Sequence, residues 1–301
     1  MTESAFEIDD YLRGRKTLID RSLDRYLKEC KPHPQSLYQA MRYSIFPGGK
    51  RVRPILTLAT GELFGGKHKS LLPFACALEF IHTYSIIHDD LPALDDDDFR
   101  RGEPASHKVF GEGIALLAGD ALLTEAFCLM SRPQVVRVLG PKRTLELIRE
   151  ISYAAGVGGL VGGQAIDLEA EGSDVDIAKV EYIHVCKTGA LILTAARVGA
   201  RIGGARPQEI RRISRYSEFL GLAFQIADDI LDVQDGAGGP SQSLAKDKEK
   251  KKATYPSVVG LPAAKNRLQE LLHQGLEEIK NFGREADPLR GIAHYVVDRV
   301  L

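Results

Sequence analysis

Between Leu71 and Ile87 this chain is apolar almost without interruption, with Glu79 and His82 the strongly polar exceptions. A helix that is apolar all round belongs at the centre of a protein, walled by other elements. Its end is abrupt. Asp89-Asp90-Leu91-Pro92-Ala93-Leu94-Asp95 follows, then Asp96, Asp97, Asp98, Phe99, Arg100 and Arg101. Pro92 lacks an N–H and clashes with the preceding turn, so it cannot continue the helix. Asp89 therefore falls in the last turn, and Asp95 must return from a short loop. Carboxylates at a helix C-terminus oppose the helix dipole, and a cation would compensate them.

A second acidic cluster, Asp228-Asp229-Ile230-Leu231-Asp232, lies about 140 residues further on. Helical spacing puts Asp228 and Asp232 one turn apart on one face, with Asp229 beside them and Gln225 one turn earlier. Phe224, Ile226, Ala227, Ile230 and Leu231 supply the packing side. The apolar flanks argue for a polar stripe facing a cavity rather than a solvated helix end. Two such clusters point to divalent metals held between two walls of one cavity.

Alternating β-branched runs are nearly absent, whereas helical periodicity recurs. Positions 37, 38, 41 and 45 make one apolar stripe, which Pro47-Gly48-Gly49 stops. Further helical stretches are expected near 112–130, 143–155, 178–201, 207–233, 255–281 and 288–301. No composition shift marks a boundary. The expectation is an all-α, single-domain bundle of about ten or more helices around a central cavity. Residues 235–252 are rich in Gly, Ser, Asp and Lys and read as a mobile loop.

With 301 residues and a formal net charge of −1, no global charge points to nucleic acid or an anionic membrane. The charge that matters is local: six Asp between 89 and 98, five Lys between 246 and 252. Cys30, Cys76, Cys128 and Cys186 are widely spaced with no metal-ligand pattern, which reads as reduced thiols in a cytoplasmic protein. Met1 to Asp10 is acidic without an apolar core, so no signal peptide is expected there. No run approaches the roughly 18 apolar residues of a membrane span.

The first acidic cluster lacks the alternating Asp/Asn, central Gly and distal Glu of a calcium-binding EF-hand. Mg²⁺ fits better, because it takes one or two carboxylates and completes its shell with water and substrate phosphate. Phosphate is also what the cations suit. Arg100 and Arg101 follow the acidic run, and Gly48-Gly49-Lys50-Arg51-Val52-Arg53-Pro54 puts three cations beside a donor-rich turn. Together these segments point to two anionic substrates, one held through metal and one by cations directly. His82 lies two helical turns before Asp89, on about the same face; it is either a satisfied core histidine or part of this group. Lys187-Thr188-Gly189 opens an apolar helix, where a surface lysine near a helix end is the alternative.

These residues resemble a known family. The chain is similar to trans-isoprenyl diphosphate synthases of the bacterial farnesyl diphosphate synthase type. The resemblance rests on Gly48 to Pro54 (GGKRVRP), Ile81 to Gly102, Gly163-Gln164-Ala165-Ile166-Asp167-Leu168, Lys187-Thr188-Gly189, Phe224 to Asp232 (FQIADDILD) and Lys252 to Pro256. They cover most of the chain in order, and the combination is specific although no single motif is.

The resemblance implies the isoprenoid synthase fold and a 1'-4 condensation of isopentenyl diphosphate with an allylic diphosphate (dimethylallyl or geranyl). It implies Mg²⁺, as two or three ions with bound diphosphate, and a homodimer. Asp89, Asp95 and Asp90 would hold Mg²⁺ with the allylic diphosphate; Asp228, helped by Asp229 and Asp232, would hold another. Arg100, Lys187, Thr188 and Gln225 match allylic-substrate contacts, and Lys252 matches a late lysine that closes over the same diphosphate. Lys50, Arg53, His82 and Arg101 match isopentenyl diphosphate contacts. One departure is visible: the family carries a Gly-Lys pair some ten residues before the late lysine, where ungapped counting puts Ser241-Gln242, with Lys246 nearby.

Ser85 is one turn before Asp89, and Tyr84 is five residues before it. A chain growing down this face would meet the Tyr84 ring as a floor. With Pro92 and Ala93 inserted in the motif, this resembles the farnesyl (C15) pattern. Tyr84 as plain core is the other reading. The alternatives for function are a geranylgeranyl diphosphate synthase and, outside enzymes, an acidic divalent-cation-binding helical protein. A class I terpene cyclase would not need the Lys50–Arg53 cations for a second diphosphate.

Overall fold

The computed structural model describes residues 6–30, 33–173, 175–235 and 254–300, and the chain is all-α as expected. The predicted loop 235–252, apart from Asp235 itself, lies outside the described residues, as do Lys252, Ser241, Gln242 and Lys246. Backbone contacts group the chain into two compact units. One comprises Asp9–Leu58 and Gly66–Arg149; the other comprises Met1–Ile8, Ala59–Gly65 and Glu150–Leu301.

The first unit is arranged around the apolar helix that opened the sequence. Its elements are α1 (Ile8–Glu29), α2 (Gln35–Ile45), the start of α3 (Val52–Leu63), α4 (His68–Asp89), α5 (Ser106–Phe110), α6 (Glu112–Met130) and α7 (Pro133–Leu139). Helix α4 buries an unbroken run from Ser70 to Ile81 and packs chiefly on α6. Gly119 on α6 makes room for that contact: a Cβ there would stand 2.1 Å from His88 Nε2. His88 in turn places its ring edge-on to Tyr84, with centroids 5.7 Å apart, and Nε2 lies 2.9 Å from the Leu116 carbonyl oxygen.

Pro92 stops α4 at Asp89, as the sequence requires. Asp95 N–H then donates to the Asp89 carbonyl over 2.8 Å, so the loop does bring Asp95 back. A strand pair not foreseen follows. Phe99–Arg100 (β1) pairs antiparallel with Glu103–Pro104 (β2), in register Phe99 to Pro104. Each strand has two residues, too short for an alternation to show. The Arg101-Gly102 turn joining them has positive φ at both positions, 55° and 82°, the two-residue geometry that matches strand twist.

The second unit holds α9 (Leu160–Ala170), α10 (Ile177–His184), a π-helical turn Val185–Gly189, α11 (Ala190–Gly203), α12 (Pro207–Asp235), α13 (Tyr255–Val259), α14 (Leu261–Ile279) and α15 (Asp287–Val297); α8 (Pro141–Ala155) ends in it. Asp176 caps α10 by accepting from Lys179 N–H over 2.9 Å. Gly204, at φ 96°, closes α11 in the left-handed conformation that a glycine adopts without strain. Helix α12 packs on α11 and α14, and the buried Tyr216 hydroxyl donates to the Leu289 carbonyl over 2.7 Å. The helix expected over 255–281 is two helices, because Gly260 takes φ 85° and Pro262 begins the next turn.

One expectation needs amending. Helices α4 and α6 are each long and apolar enough, by length and composition, to cross a membrane. In α4 that stretch is 83% buried within the protein, so its apolarity serves the core. In α6 only 39% is buried, and Leu116 and Leu117 stand exposed.

Candidate active site

The second unit contains a cleft of about 260 Å³. Helix α12 gives it Gln225, Asp228, Asp229 and Asp232; the π turn gives Lys187 and Thr188; α9 gives Asp167, α10 gives His184, and Thr254 precedes α13. The expected α12 face therefore lines a concavity rather than a solvated end. Lys187, expected at the start of a helix, instead sits inside a continuous helical rod from Ile177 to Gly203, at its π turn. Such turns arise where an extra residue is accommodated in the helical ladder, frequently at functional sites.

Two glycines let this turn sit where it does. A Cβ on Gly163 of α9 would lie 2.4 Å from the Lys187 backbone N, and one on Gly221 of α12 would lie 3.1 Å from Gly189 Cα. Lys187 Nζ donates to Asp167 Oδ2 over 2.8 Å. Asp229 is buried: Oδ2 accepts from Tyr255 N–H at 2.7 Å and stands 3.5 Å from His184 Nε2. Burial, with the Lys187 charge adding to it and Asp167 opposing, pushes the His184 imidazole down to about 4, so it is neutral at pH 7. Arg299, arriving from 71 residues away, donates to Asp228 Oδ1 over 2.7 Å.

The potential metal donors in this cleft are carboxylate, amide and hydroxyl oxygens together with the His184 imidazole, and no thiol; the oxygens are the chemistry that suits a hard cation such as Mg²⁺. Among the described residues, no three His, Cys, Asp or Glu side chains form a ready-made cage. The residues fit an ion whose shell is completed by oxygens other than the protein's.

The first unit gathers the cations. Arg101 Nη1 donates to the Gly48 carbonyl over 2.6 Å, seating its guanidinium against Gly49, where a Cβ would come within 2.8 Å. This holds the hairpin tip against the Gly48–Arg53 turn. His82, one helical turn beyond Glu79, feels the charges of Arg53, Arg101, Arg51 and Arg100; with burial as the largest cause, these hold its imidazole well below its usual range. The four expected isopentenyl diphosphate residues, Lys50, Arg53, His82 and Arg101, thus belong to one locality.

Asp90 is buried where α4 ends. Its buried carboxylate accepts from Arg100 Nε at 2.8 Å and Nη2 at 2.5 Å, and Arg100 also reaches Asp97 at 2.9 Å. Burial raises the Asp90 carboxyl to about 6 against the pull of Arg100. Asp90, expected as a metal ligand, is here paired with Arg100. Tyr84 is buried, and Ser85 donates to the His82 carbonyl over 2.9 Å. Asp97, Asp167, His184 and Arg299 were not singled out from the sequence. Asp167 stood inside a recognised motif and His184 one turn before Lys187, whereas nothing local marked Arg299.

One unit thus carries a carboxylate-rich cleft and the other an arginine-rich group around His82, side-chain chemistry suited to an enzyme of anionic substrates. The chain belongs to the polyprenyl synthetase family, whose pattern matches residues 34–286. It is 41% identical to a geranylgeranyl diphosphate synthase of Cyanophora paradoxa, over 99% of this chain and 98% of that one. It is also 41% identical to a farnesyl diphosphate synthase of Geobacillus stearothermophilus, over 97% and 98%. A geranyltransferase structure from Legionella pneumophila superposes with a TM-score of 0.87 at 28% identity, covering 97% of each chain. The chain is accordingly a prenyltransferase of head-to-tail chain elongation.

Proposed function

We propose that the enzyme makes farnesyl diphosphate by Mg²⁺-dependent 1'-4 condensation of isopentenyl diphosphate with dimethylallyl and then geranyl diphosphate. The observation that carries this reading is the cation group around neutral His82, on the same helix that ends in Asp89. Arg51 and Arg100 are already met by Asp20, Glu79, Asp90 and Asp97, whereas the exposed Arg101, with Lys50 and Arg53 in the same group, offers fixed positive charge of the kind that suits a diphosphate. Lys50, Arg53, His82 and Arg101 hold isopentenyl diphosphate. Arg100, Lys187, Thr188, Gln225 and Lys252 hold the allylic diphosphate, with Asp89, Asp95 and the Asp228–Asp232 set as the metal-bearing carboxylates and Asp90 acting through Arg100. When bound, Mg²⁺ supplies Lewis-acid neutralisation of the leaving diphosphate. Lys187 and Arg100 place fixed positive charge where negative charge develops as the allylic C–O bond breaks. The alkene of isopentenyl diphosphate attacks the allylic carbon, and a proton leaves to the departing pyrophosphate. No side-chain nucleophile is required.

The C15 reading is supported by Tyr84, a buried ring on the Asp89 helix. The named relatives divide between farnesyl and geranylgeranyl synthases, so geranylgeranyl diphosphate is the competing product. We extend the reading to one synthase domain acting as a homodimer in the cytoplasm; the exposed apolar Leu116 and Leu117 of α6 and four free thiols support these points. Incubation with labelled isopentenyl diphosphate, dimethylallyl diphosphate and Mg²⁺ should give a C15 product on chromatography. A C20 product would replace the farnesyl assignment, and metal binding without turnover would favour a cation-binding protein.

A further inference from the structure

Arg51 lies between the two residues assigned to isopentenyl diphosphate, yet it points its charge into the protein. Its side chain is 1% exposed. Its backbone has φ 52°, a conformation that residues with a Cβ rarely adopt and that persists only where surroundings over-determine it. The surroundings do so here. Nε donates to Asp20 Oδ1 of α1 over 2.9 Å, Nη1 to Glu79 Oε1 of α4 over 2.6 Å, and Nη2 to the Ile45 carbonyl at the end of α2 over 2.6 Å. One planar fork thus ties three helices to a turn that contains two further positive-φ residues, Gly48 and Gly49. Glu79 is three residues before His82 on α4. A buried ion pair is a poor way to gain stability, since apolar replacements of like volume often do as well; its better-attested use is to select one conformation.

We propose that Arg51 is a positioning residue for isopentenyl diphosphate: its buried fork fixes the Gly48–Arg53 turn so that Lys50 and Arg53 meet one diphosphate. This rests on the assignment of Lys50 and Arg53 given above. Lysine at this position keeps the charge but loses the planar three-way fork, so the turn loses its register while the buried carboxylates keep a cation.

The test compares KM for isopentenyl diphosphate, KM for dimethylallyl diphosphate, kcat and Tm. Arg51→Lys should raise KM for isopentenyl diphosphate about tenfold, the scale of a lost charge-assisted contact, and leave KM for the allylic partner within about twofold. The double variant Arg51→Met with Glu79→Leu removes both buried charges, so Tm should return towards the parent value while KM for isopentenyl diphosphate stays high. Asp20→Asn, at the more exposed end of the fork, should give a smaller rise of the same selectivity. If these proteins fold and KM for isopentenyl diphosphate matches the parent, or if both KM values rise together with falling Tm, the proposal is overturned. Lys50→Ala and Arg53→Ala run alongside: if they leave KM for isopentenyl diphosphate unchanged, the underlying assignment fails instead.

Discussion

Burial tunes several single side chains in this protein more strongly than their immediate neighbours do, among them His82, Tyr84 and His184. Cys30 shows it. Burial raises its thiol to about 12, with the Glu125 charge adding to the effect, whereas Cys128 is exposed. Only the thiolate reacts. At pH 8 about one Cys30 in ten thousand would be ionised on that value, so iodoacetamide should modify Cys128 first and Cys30 only as pH rises towards the upper limit. Peptide mapping after timed labelling reads this directly; equal rates at pH 8 would contradict it. Tyr84 is the other residue with a sharp consequence. Its ring is buried and leans on His88, and burial together with the Asp89 charge lifts its phenol to about 12, so it stays neutral. Tyr84→Ala should lengthen the product, from the proposed C15 towards C20 or longer. Truncating a buried aromatic ring should also cost about 3 kcal/mol or more of stability. An unchanged C15 product with a lowered Tm would make Tyr84 core alone.

Among the elements, the decisive contacts are backbone approaches at glycine. Gly163→Ala would drive a Cβ into the Lys187 backbone, and since neither side is a flexible chain end, the π turn must move. A loss of about 1–3 kcal/mol is expected from such overpacking, with a fall in kcat larger than the fall in Tm would suggest, because Lys187 moves with the turn. Calorimetry and initial rates separate the two; a kcat equal to the parent's would sink the argument. These contacts also explain what the sequence could and could not convey. Helix α4, its stop at Pro92, and the α12 acidic face were legible because each is a local matter of period or of one proline. The helix positions of the candidate site residues on α4 and α12 were legible for the same reason, whereas their roles came from the family resemblance. The π turn was not, since its cause lies on α9 and α12. The break at Gly260 was hidden by apolar periodicity running through it. Arg299 meets Asp228 from a remote stretch of chain, and the β1–β2 pair is too short to alternate.

The chain as a whole shows how apolarity is allotted. Helices α4 and α6 are comparably apolar, but α4 is enclosed while α6 keeps Leu116 and Leu117 at 46% and 52% exposure. If α6 is the face that meets a second copy, Leu117→Glu should convert the sedimenting species from dimer to monomer, since a charge there would be buried unpaired. A dimer that persists would move the interface elsewhere. Metal removal belongs at this scale too: EDTA should abolish turnover and Mg²⁺ restore it, with little change in Tm before diphosphate is added, because no protein cage waits for the ion among the described residues.

The turn at Val185–Gly189 has one more consequence, for tolerance to insertion and deletion. A π turn is in effect one surplus residue taken up within a helix, its residues sweeping about the rotation that one residue fewer sweeps in an α-helix. Removing one residue between Val185 and Gly189 should therefore yield a more regular rod in which Leu191, Ile192 and Ala195 keep their buried faces, while the displaced backbone that carries Lys187 and Thr188 into the cleft is lost. Such a deletion should cost activity far more than stability, and rates and Tm of the deletion variant read the two separately.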